Sequence, residues 1–319
     1  MSDDLLYYYE RELSFLKDTV NEFADANPKI AGRLRINADT IEDPHASRLL
    51  EGVAYLNSRI QKRLDDDFPE LTDALMATLY PHYQRPIPAL SIVQFSPDET
   101  LDSIIDIGKG ALLKTDKVDQ ESCLFKTCYP VSLLPLKVNT AEVLYPPFNT
   151  PGSSQFNNCK SALHLKIDTS SKELECSGLN LESLRFYLRG QPQHVYPLYE
   201  LIFNSTQGCM IAEAENDTSP FKLSSEVIQS VGFEAHEGLL PFLGDSFSEY
   251  RLLSEYFAFP EKFLFFQINQ ILKTLTSNET DSFHMYLYFS DVNTELEHHI
   301  SEETFALGCT PVINLFEKN

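Results

Sequence analysis

Three prolines, Pro81, Pro86 and Pro88, divide the sequence into two parts of different texture. Proline has no backbone N–H and a fixed φ, so a helix cannot continue through this segment. Before it, apolar residues recur every three or four positions, which predicts helices. After it, short apolar runs alternate with turn residues, which predicts strands. The predicted fold class is therefore α+β: a helical N-terminal region followed by a β-rich body of mostly antiparallel strands with a few inserted helices.

The boundary predicts two domains, a helical region over residues 1–88 and a β-rich domain over 89–319. At 319 residues the chain is long enough for each domain to have its own core. Residues 146–160 are rich in Pro, Asn, Gly and Ser, so they are a candidate division between two subdomains of the β-rich part.

The helical region is predicted to contain three helices, at 5–25, 44–66 and 69–80. Asp43 is a good N-cap for the second helix, and Pro44 suits its first position. Pro28 ends the first helix, and residues 28–42 are predicted to be irregular. The second helix has one apolar face to bury, formed by Leu49, Val53, Leu56, Ile60 and Leu64.

The first helix carries an apolar stripe of coiled-coil type, which we call the seam. Its members step by three and four residues: Leu6, Tyr9, Leu13, Leu16, Val20 and Phe23. Such a stripe needs a partner helix. The partner could come from residues 44–80 of the same chain or from another subunit, and we treat the six residues as a candidate interface.

The β-rich part is predicted from its apolar runs and turn residues. The predicted strands are Ser91–Phe95, Ile104–Ile107, Ala111–Thr115, Leu124–Thr127, Val131–Val138, Leu163–Ile167, Leu184–Leu188, Cys209–Ala212, Phe263–Ile268 and Phe283–Phe289. Two inserted helices are predicted, at 194–204 and 248–257, whereas 213–226 has no strong pattern.

Composition excludes several classes of function. The formal net charge of −22 argues against binding to nucleic acid, which needs clustered Lys and Arg, and against anionic membrane surfaces. No apolar stretch approaches the length of a membrane span, and no secretory signal is visible. The six cysteines form no CxxC pair, so free thiols in a reducing cytosol are the better interpretation.

A search for reactive motifs finds none that is complete. The GKG at 108–110 matches neither a dinucleotide fingerprint nor a Walker loop, and no GxSxG is present. Acids and histidines crowd one segment without HExxH: Glu295, Glu297, His298, His299, Glu302 and Glu303. We interpret that segment as a solvated acidic face, and Asp65–Asp67 as a charged helix end rather than a calcium loop. His45 and His82 are interpreted as structural. No catalytic, cofactor-binding or metal residue is therefore predicted.

Two other classes of function remain as alternatives. An acidic hydrolase or secreted effector would use a pair of carboxylates, and the chain has 47 acidic residues from which a pair could arise. The absence of every hydrolase motif argues against it. An adhesin or carbohydrate-binding module is disfavoured by the missing export signal and by the lack of tryptophan.

Long segments of the chain resemble the TssF family, also called ImpG or VasA, whose members are baseplate subunits of the bacterial type VI secretion system. The resemblance is carried, in order, by residues 5–34, 43–83 and 86–95, and further on by LRFYLRGQPQHVYPLYELIFN (184–204), LLSEYFAFPEKFLFF (252–266) and CTPVINLFEK (309–318). Family members continue well past residue 319, so the chain is expected to be an N-terminal portion.

This resemblance implies a non-enzymatic scaffold with no cofactor. In the family, two TssF copies associate with one TssG to form a wedge alongside TssK and TssE, and wedges surround the VgrG spike. The expected location is the cytoplasm, in a complex docked at the inner membrane. By analogy with contractile phage baseplates, the seam is expected to contribute to a helical bundle shared between subunits, which rearranges when the tail sheath contracts.

Overall fold

A computed structural model describes residues 3–33, 43–66, 69–80, 85–98, 101–117, 120–156, 158–170, 175–179, 181–241, 248–271 and 280–316. The chain divides into two compact units, Met1–Pro86 and Ile87–Asn319. The first is built from helices and the second mainly from β-strands, and each is described by itself.

The helical unit contains four described helices: α1 (Asp3–Ala26), α2 (Pro28–Arg33), α3 (Pro44–Asp66) and α4 (Pro69–Leu79). As predicted, the Asp43 carboxylate caps α3, because its Oδ1 accepts from the His45 N–H at 2.9 Å. Helix α1 packs along α3, and α2 packs on α1. The prediction that residues 28–42 are irregular is wrong for Pro28–Arg33, and 34–42 lie outside the described residues. Pro28 starts α2 rather than only ending α1, since a first-turn proline needs no N–H partner.

The β-rich unit contains fifteen described strands. In chain order they are β1 (Leu90–Gln94), β2 (Ile105–Ile107), β3 (Leu112–Lys114), β4 (Leu124–Thr127), β5 (Val131–Leu133), β6 (Leu136–Leu144), β7 (Ser161–Thr169), β8 (Ser183–Leu188), β9 (Thr206–Ala212), β10 (Phe221–Ser224), β11 (Ile228–Val231), β12 (Phe265–Asn269), β13 (Ser282–Phe289), β14 (Phe305–Ala306) and β15 (Cys309–Ile313). Two inserted helices are α5 (Pro192–Asn204) and α6 (Ser248–Ala258).

These strands form three larger sheets and one two-stranded ribbon. The sheet orders are β1-β15-β4-β3, β10-β9-β13-β7-β6 and β11-β12-β8-β14, and β2 pairs with β5. Each pairing among the described strands is antiparallel. The main core of the unit is formed by the buried faces of β7, β8, β12 and β13 together with α5. Leu163, Phe186, Leu198, Phe265 and Leu287 are fully buried in it.

The first and last strands of the β-rich unit pair with each other, so residues more than two hundred positions apart share one sheet. In this pairing Leu90 lies opposite Ile313, and Gln94 lies opposite Cys309. The turn into β15 needs glycine, because Gly308 has φ +69° and a Cβ there would collide with the Phe95 carbonyl oxygen. The same Gly308 carbonyl accepts from the Phe95 N–H at 2.9 Å.

The predicted fold class is confirmed, and most predicted strands and inserted helices have a counterpart. The predicted run Val131–Val138 is wrong as one strand, because it splits at Leu134 and Pro135 into β5 and β6. Four strands were not predicted: β10, β11, β14 and β15. The first three are short, and β15 contains Pro311, which cannot donate to a ladder and hides the strand from pattern analysis.

Candidate interaction surface

The contact between α1 and α3 uses a small-residue face of α3. Ala54 and Ser58 of α3 are completely buried, and Ser58 turns its hydroxyl onto the Tyr55 carbonyl at 2.7 Å. At the C-terminal end of α3, the Asp65 carboxylate lies close to the Tyr8 phenol of α1 and raises the pKa of Tyr8. This contact brings the N-terminal part of α1 to the C-terminal end of α3.

The structure places the seam only partly in this contact. Its central residues, Tyr9, Leu13, Leu16 and Val20, are half-buried, whereas Leu6 and Phe23 at its ends are exposed. Of the two partners considered from the sequence, α3 of the same chain is adjacent to α1. The exposed ends leave apolar surface that a further helix could cover.

A second apolar stripe, on α3, is left uncovered. Its five members are between 44% and 72% exposed, and we call them the α3 stripe: Leu49, Val53, Leu56, Ile60 and Leu64. The sequence predicts that this face is buried, but within the chain it is not. The reason is geometric: at 100° per residue, the buried Ala54 and Ser58 lie roughly 140° around the helix from the centre of the stripe, on nearly the opposite side.

Helix α4 is also apolar and exposed. Each side chain from Glu70 to Tyr80 is exposed, including Leu71, Leu75 and Leu79 at helical spacing. A stripe of this kind is a candidate interaction surface, because contiguous exposed apolar patches are uncommon on monomers.

The residues considered for metal binding do not converge. Glu295 and Glu302–Glu303 lie in short 3-10 turns, Thr294–Leu296 and Glu302–Thr304, rather than on one helix. Within the described ranges, no three His, Cys, Asp or Glu side chains are grouped so that they could hold a metal ion. His82 and Asp67 lie outside the described residues. His45 is exposed, and its backbone N–H is used by the α3 cap.

The buried cysteines have the chemistry of inert thiols. Burial raises the pKa of Cys128 to about 11 and the pKa values of Cys176, Cys209 and Cys309 to about 12. A thiol with such a pKa stays protonated at neutral pH and is a poor nucleophile. These four residues therefore act as packing groups.

A cleft of about 640 Å³ opens in the β-rich unit where β6 approaches β14. Two of its acids are engaged in contacts with neighbours. Asp168 accepts from the Asn139 side-chain amide at 2.7 Å, and Glu303 lies 3.6 Å from the Arg189 guanidinium. These contacts join neighbouring strands and turns, which is a structural use of the carboxylates.

Among the described residues, no helix is both long and apolar enough to cross a membrane.

A helical unit that leaves leucine stripes exposed is typical of a subunit that works inside a larger assembly. Comparison with known proteins gives the family. Residues 1–319 match the profile of the family described as type VI secretion system, TssF. The chain belongs to the TssF family, as its sequence segments predict.

A curated relative and two solved structures are similar to the chain. It is 33% identical over 325 residues to type VI secretion system component TssF1 of Pseudomonas aeruginosa, an alignment that covers all of this chain and 52% of the relative. The chain therefore spans about half the length of that protein. A cryo-electron microscopy structure of a TssK-TssF-TssG baseplate subcomplex matches with a TM-score of 0.67 and 25% identity over 84% of this chain and 49% of that chain. A type VI secretion baseplate complex covers 98% of this chain and 52% of that chain at 25% identity, with a TM-score of 0.45.

Proposed function

We propose that this chain is a structural subunit of a type VI secretion baseplate and that its helical unit binds neighbouring subunits. The observation that carries the proposal is the α3 stripe in a member of the TssF family. Similarity to a TssK-TssF-TssG subcomplex supports TssG and TssK as partners. The role is mechanical rather than enzymatic: contacts hold the platform closed and rearrange when the sheath contracts.

The finer assembly follows the wedge that the family resemblance implies. In it, this chain binds TssG and a second TssF copy, with TssE in the same wedge, and wedges form a platform around the VgrG spike. The complex is cytoplasmic and docks at the inner membrane. A carboxylate-based hydrolase is disfavoured, because Asp168 and Glu303 of the cleft contact Asn139 and Arg189 rather than each other.

The α3 stripe can supply enough binding energy for a stable subunit contact. Fully burying one exposed leucine or isoleucine side chain contributes about 1.5–3 kcal/mol. A few such residues at the centre of an interface dominate affinity in most complexes. Leu56 and Ile60 are central in the stripe, and both are more than half exposed before binding. The exposed ends of the seam, Leu6 and Phe23, offer additional apolar surface on α1.

The test is co-expression of this chain with TssG from the same source, with the mass of the complex measured by light scattering. A complex with two copies of this chain for each TssG is expected. Leu56→Glu with Ile60→Glu should abolish co-purification, because it places two charges in a dry interface. The matched control is Leu112→Glu with Phe221→Glu, which charges two exposed apolar residues of the β-rich unit and should leave the complex intact.

A second variant tests the seam. Leu13→Glu with Leu16→Glu should abolish co-purification with TssG while the β-rich unit stays folded, as judged by circular dichroism. If the β-rich unit unfolds as well, the seam belongs to the core and is not an interface. Full co-purification of the α3-stripe variant with TssG would contradict the proposed role of that stripe.

A further inference from the structure

Helix α6 of the β-rich unit has the reverse of the usual amphipathic arrangement. Its buried residues are charged: Arg251 and Glu255 are one turn apart and almost completely buried. The side chain of Lys262, just beyond the helix, is fully buried as well. Charged side chains are almost never found inside unless they are paired, so this inner face is a specific feature of the fold.

The inner face of α6 is held by a connected polar network. The Glu255 carboxylate pairs with the Lys262 ammonium through Oε2, and its Oε1 accepts from the Leu239 and Leu240 N–H groups at 2.8 and 3.0 Å. The Arg251 guanidinium donates to the carbonyls of Ala235 and Glu234 at 2.6 and 3.0 Å. Both charges of the helix therefore bind the backbone of the preceding loop.

The loop backbone has to come close to α6 for these bonds to form. A Cβ at Gly238 would meet the Arg251 guanidinium, so a larger residue at this position would require the Arg251 side chain to shift. The network thereby fixes the rotation of α6 about its own axis and leaves its other face pointing outward.

The outward face of α6 is apolar and largely aromatic. It consists of Tyr250, Leu253, Tyr256 and Phe257, all exposed, and the Phe257 side chain is 81% exposed. Phe233 continues this face, because the Phe263 ring lies 4.9 Å from the ring of Phe233 and 6.0 Å from that of Tyr256. We call the five exposed residues the α6 surface.

An ordinary helix with these residues would bury the aromatic face and expose the charges. Burying three charged groups is costly even when they are paired, so the burial of apolar area alone does not explain this rotation of α6. Large exposed apolar patches mark interaction sites, and aromatic residues are enriched at the cores of such sites.

The charges around the α6 surface select the kind of partner. The two bases of this region, Arg251 and Lys262, are buried, whereas the acids Glu249 and Glu261 beside the surface are exposed. An exposed lysine near this region, Lys109, donates to the His236 carbonyl at 2.9 Å. A second copy of this chain would bring its own Glu249 and Glu261 against these acids, which is unfavourable.

We propose that the α6 surface is a docking site for a basic amphipathic helix of a partner protein. The apolar face of that helix would cover Leu253, Tyr256 and Phe257, and its flanking lysines or arginines would meet Glu249 and Glu261. This site lies on the β-rich unit and does not depend on the function proposed for the helical unit.

The test uses this chain and two designed helical peptides of about 15 residues, long enough to form a helix on a surface. Both have the same leucine face; one has lysine on its polar face and the other has glutamate. The lysine peptide is expected to bind at least about tenfold more tightly than the glutamate peptide, as measured by fluorescence anisotropy. Leu253→Ser with Phe257→Ser should weaken binding of the lysine peptide at least about tenfold. The matched control, Leu112→Ser with Phe221→Ser, should leave it unchanged.

A charge-reversal variant keeps the apolar face intact and tests the acids alone. Glu249→Lys with Glu261→Lys should weaken the lysine peptide and strengthen the glutamate peptide. The proposal is overturned if either α6 variant binds the lysine peptide as tightly as the unsubstituted chain. It is also overturned if light scattering shows a dimer of this chain that Leu253→Ser with Phe257→Ser abolishes, because the occupant is then a second copy.

Discussion

The buried pair between Glu255 and Lys262 offers the most direct test of how the β-rich unit holds α6. Both side chains are fully buried, and Glu255 also accepts from the backbone of the loop before α6. Replacing Lys262 by methionine keeps the length and packing of the side chain but removes its charge. The Glu255 carboxylate then stays buried with only its two backbone donors.

The expected loss of stability in Lys262→Met follows from the buried Glu255 carboxylate that remains. Removing one partner of a buried ion pair costs about 3–5 kcal/mol, because the other charge is left without compensation. For a unit of this size each kcal/mol shifts Tm by about 2–4 °C, so Lys262→Met should lower Tm by about 6–20 °C. Adding Glu255→Gln removes the second charge while keeping an oxygen for the Leu239 and Leu240 N–H groups. The double variant should therefore be more stable than Lys262→Met alone.

The chain also offers a matched control on its surface. Lys160 and Asp291 form an ion pair of 3.6 Å, but both side chains are more than half exposed. Lys160→Met should cost less than about 1 kcal/mol, because exposed pairs contribute little. Differential scanning calorimetry of the three variants measures all of these shifts. If Lys262→Met and Lys160→Met lower Tm equally, or if the double variant is the least stable, the buried pair does not hold α6 as argued.

Two further predictions concern other parts of the β-rich unit. The Nδ1 atom of His284 lies 2.9 Å from Nε2 of His164, and Nδ1 of His164 lies 2.9 Å from the Glu142 carboxylate. Burial lowers the pKa of His284, and the neighbouring His164 lowers it further. As pH falls, His284 is therefore protonated in the unfolded chain before it is protonated in the folded chain. The contribution of neutral His284 to stability is complete above about pH 6.5 and is lost as pH falls through its folded pKa. The free energy of unfolding in urea, measured from pH 8 to pH 5, should fall with pH, and the fall should be smaller in His284→Gln. An equal pH dependence in the variant would refute the role of His284. Gly308→Ala should destabilise the unit by about 1–3 kcal/mol, because φ is +69° and the new Cβ meets the Phe95 carbonyl, and unchanged urea unfolding would show that the turn can relax.

Sequence patterns predict the fold where local and tertiary preferences agree. The N-cap of α3 and the apolar run of β13 predict elements close to those observed, because each feature is local. The failures have physical reasons. A proline such as Pro28 is compatible with the end of one helix and with the first turn of the next. Pro311 lies within β15, which pairs with β1 and β4, and its missing N–H is tolerated because other residues of β15 form the hydrogen bonds to these strands.

The candidate surfaces were harder to predict than the elements that carry them. Helical spacing shows that α1 and α3 have apolar faces, but it cannot show which face another helix covers. Ala54 and Ser58 decide this for α3, because small side chains allow close approach, and the leucines on the other side of the helix stay exposed. In α6 the spacing is misleading, since Arg251 and Glu255 would be assigned to solvent and are buried instead. The only signal of that network in the sequence is a pair of opposite charges one turn apart.

The α3 stripe and the α6 surface are exposed for the same general reason: the inner face of each helix is occupied by contacts other than the packing of its large apolar side chains. On α3 that face receives α1, and on α6 it binds the backbone of a loop through charged groups. A chain that exposes so much apolar surface would be prone to associate with itself before it meets a partner. The net charge of −22 opposes this, because like-charged copies repel one another at every encounter. A partner with basic flanks experiences the opposite field and is attracted. Under the docking proposed for α6, the acidity of the chain supplies a selectivity for basic partners that leucines and aromatic rings alone cannot supply.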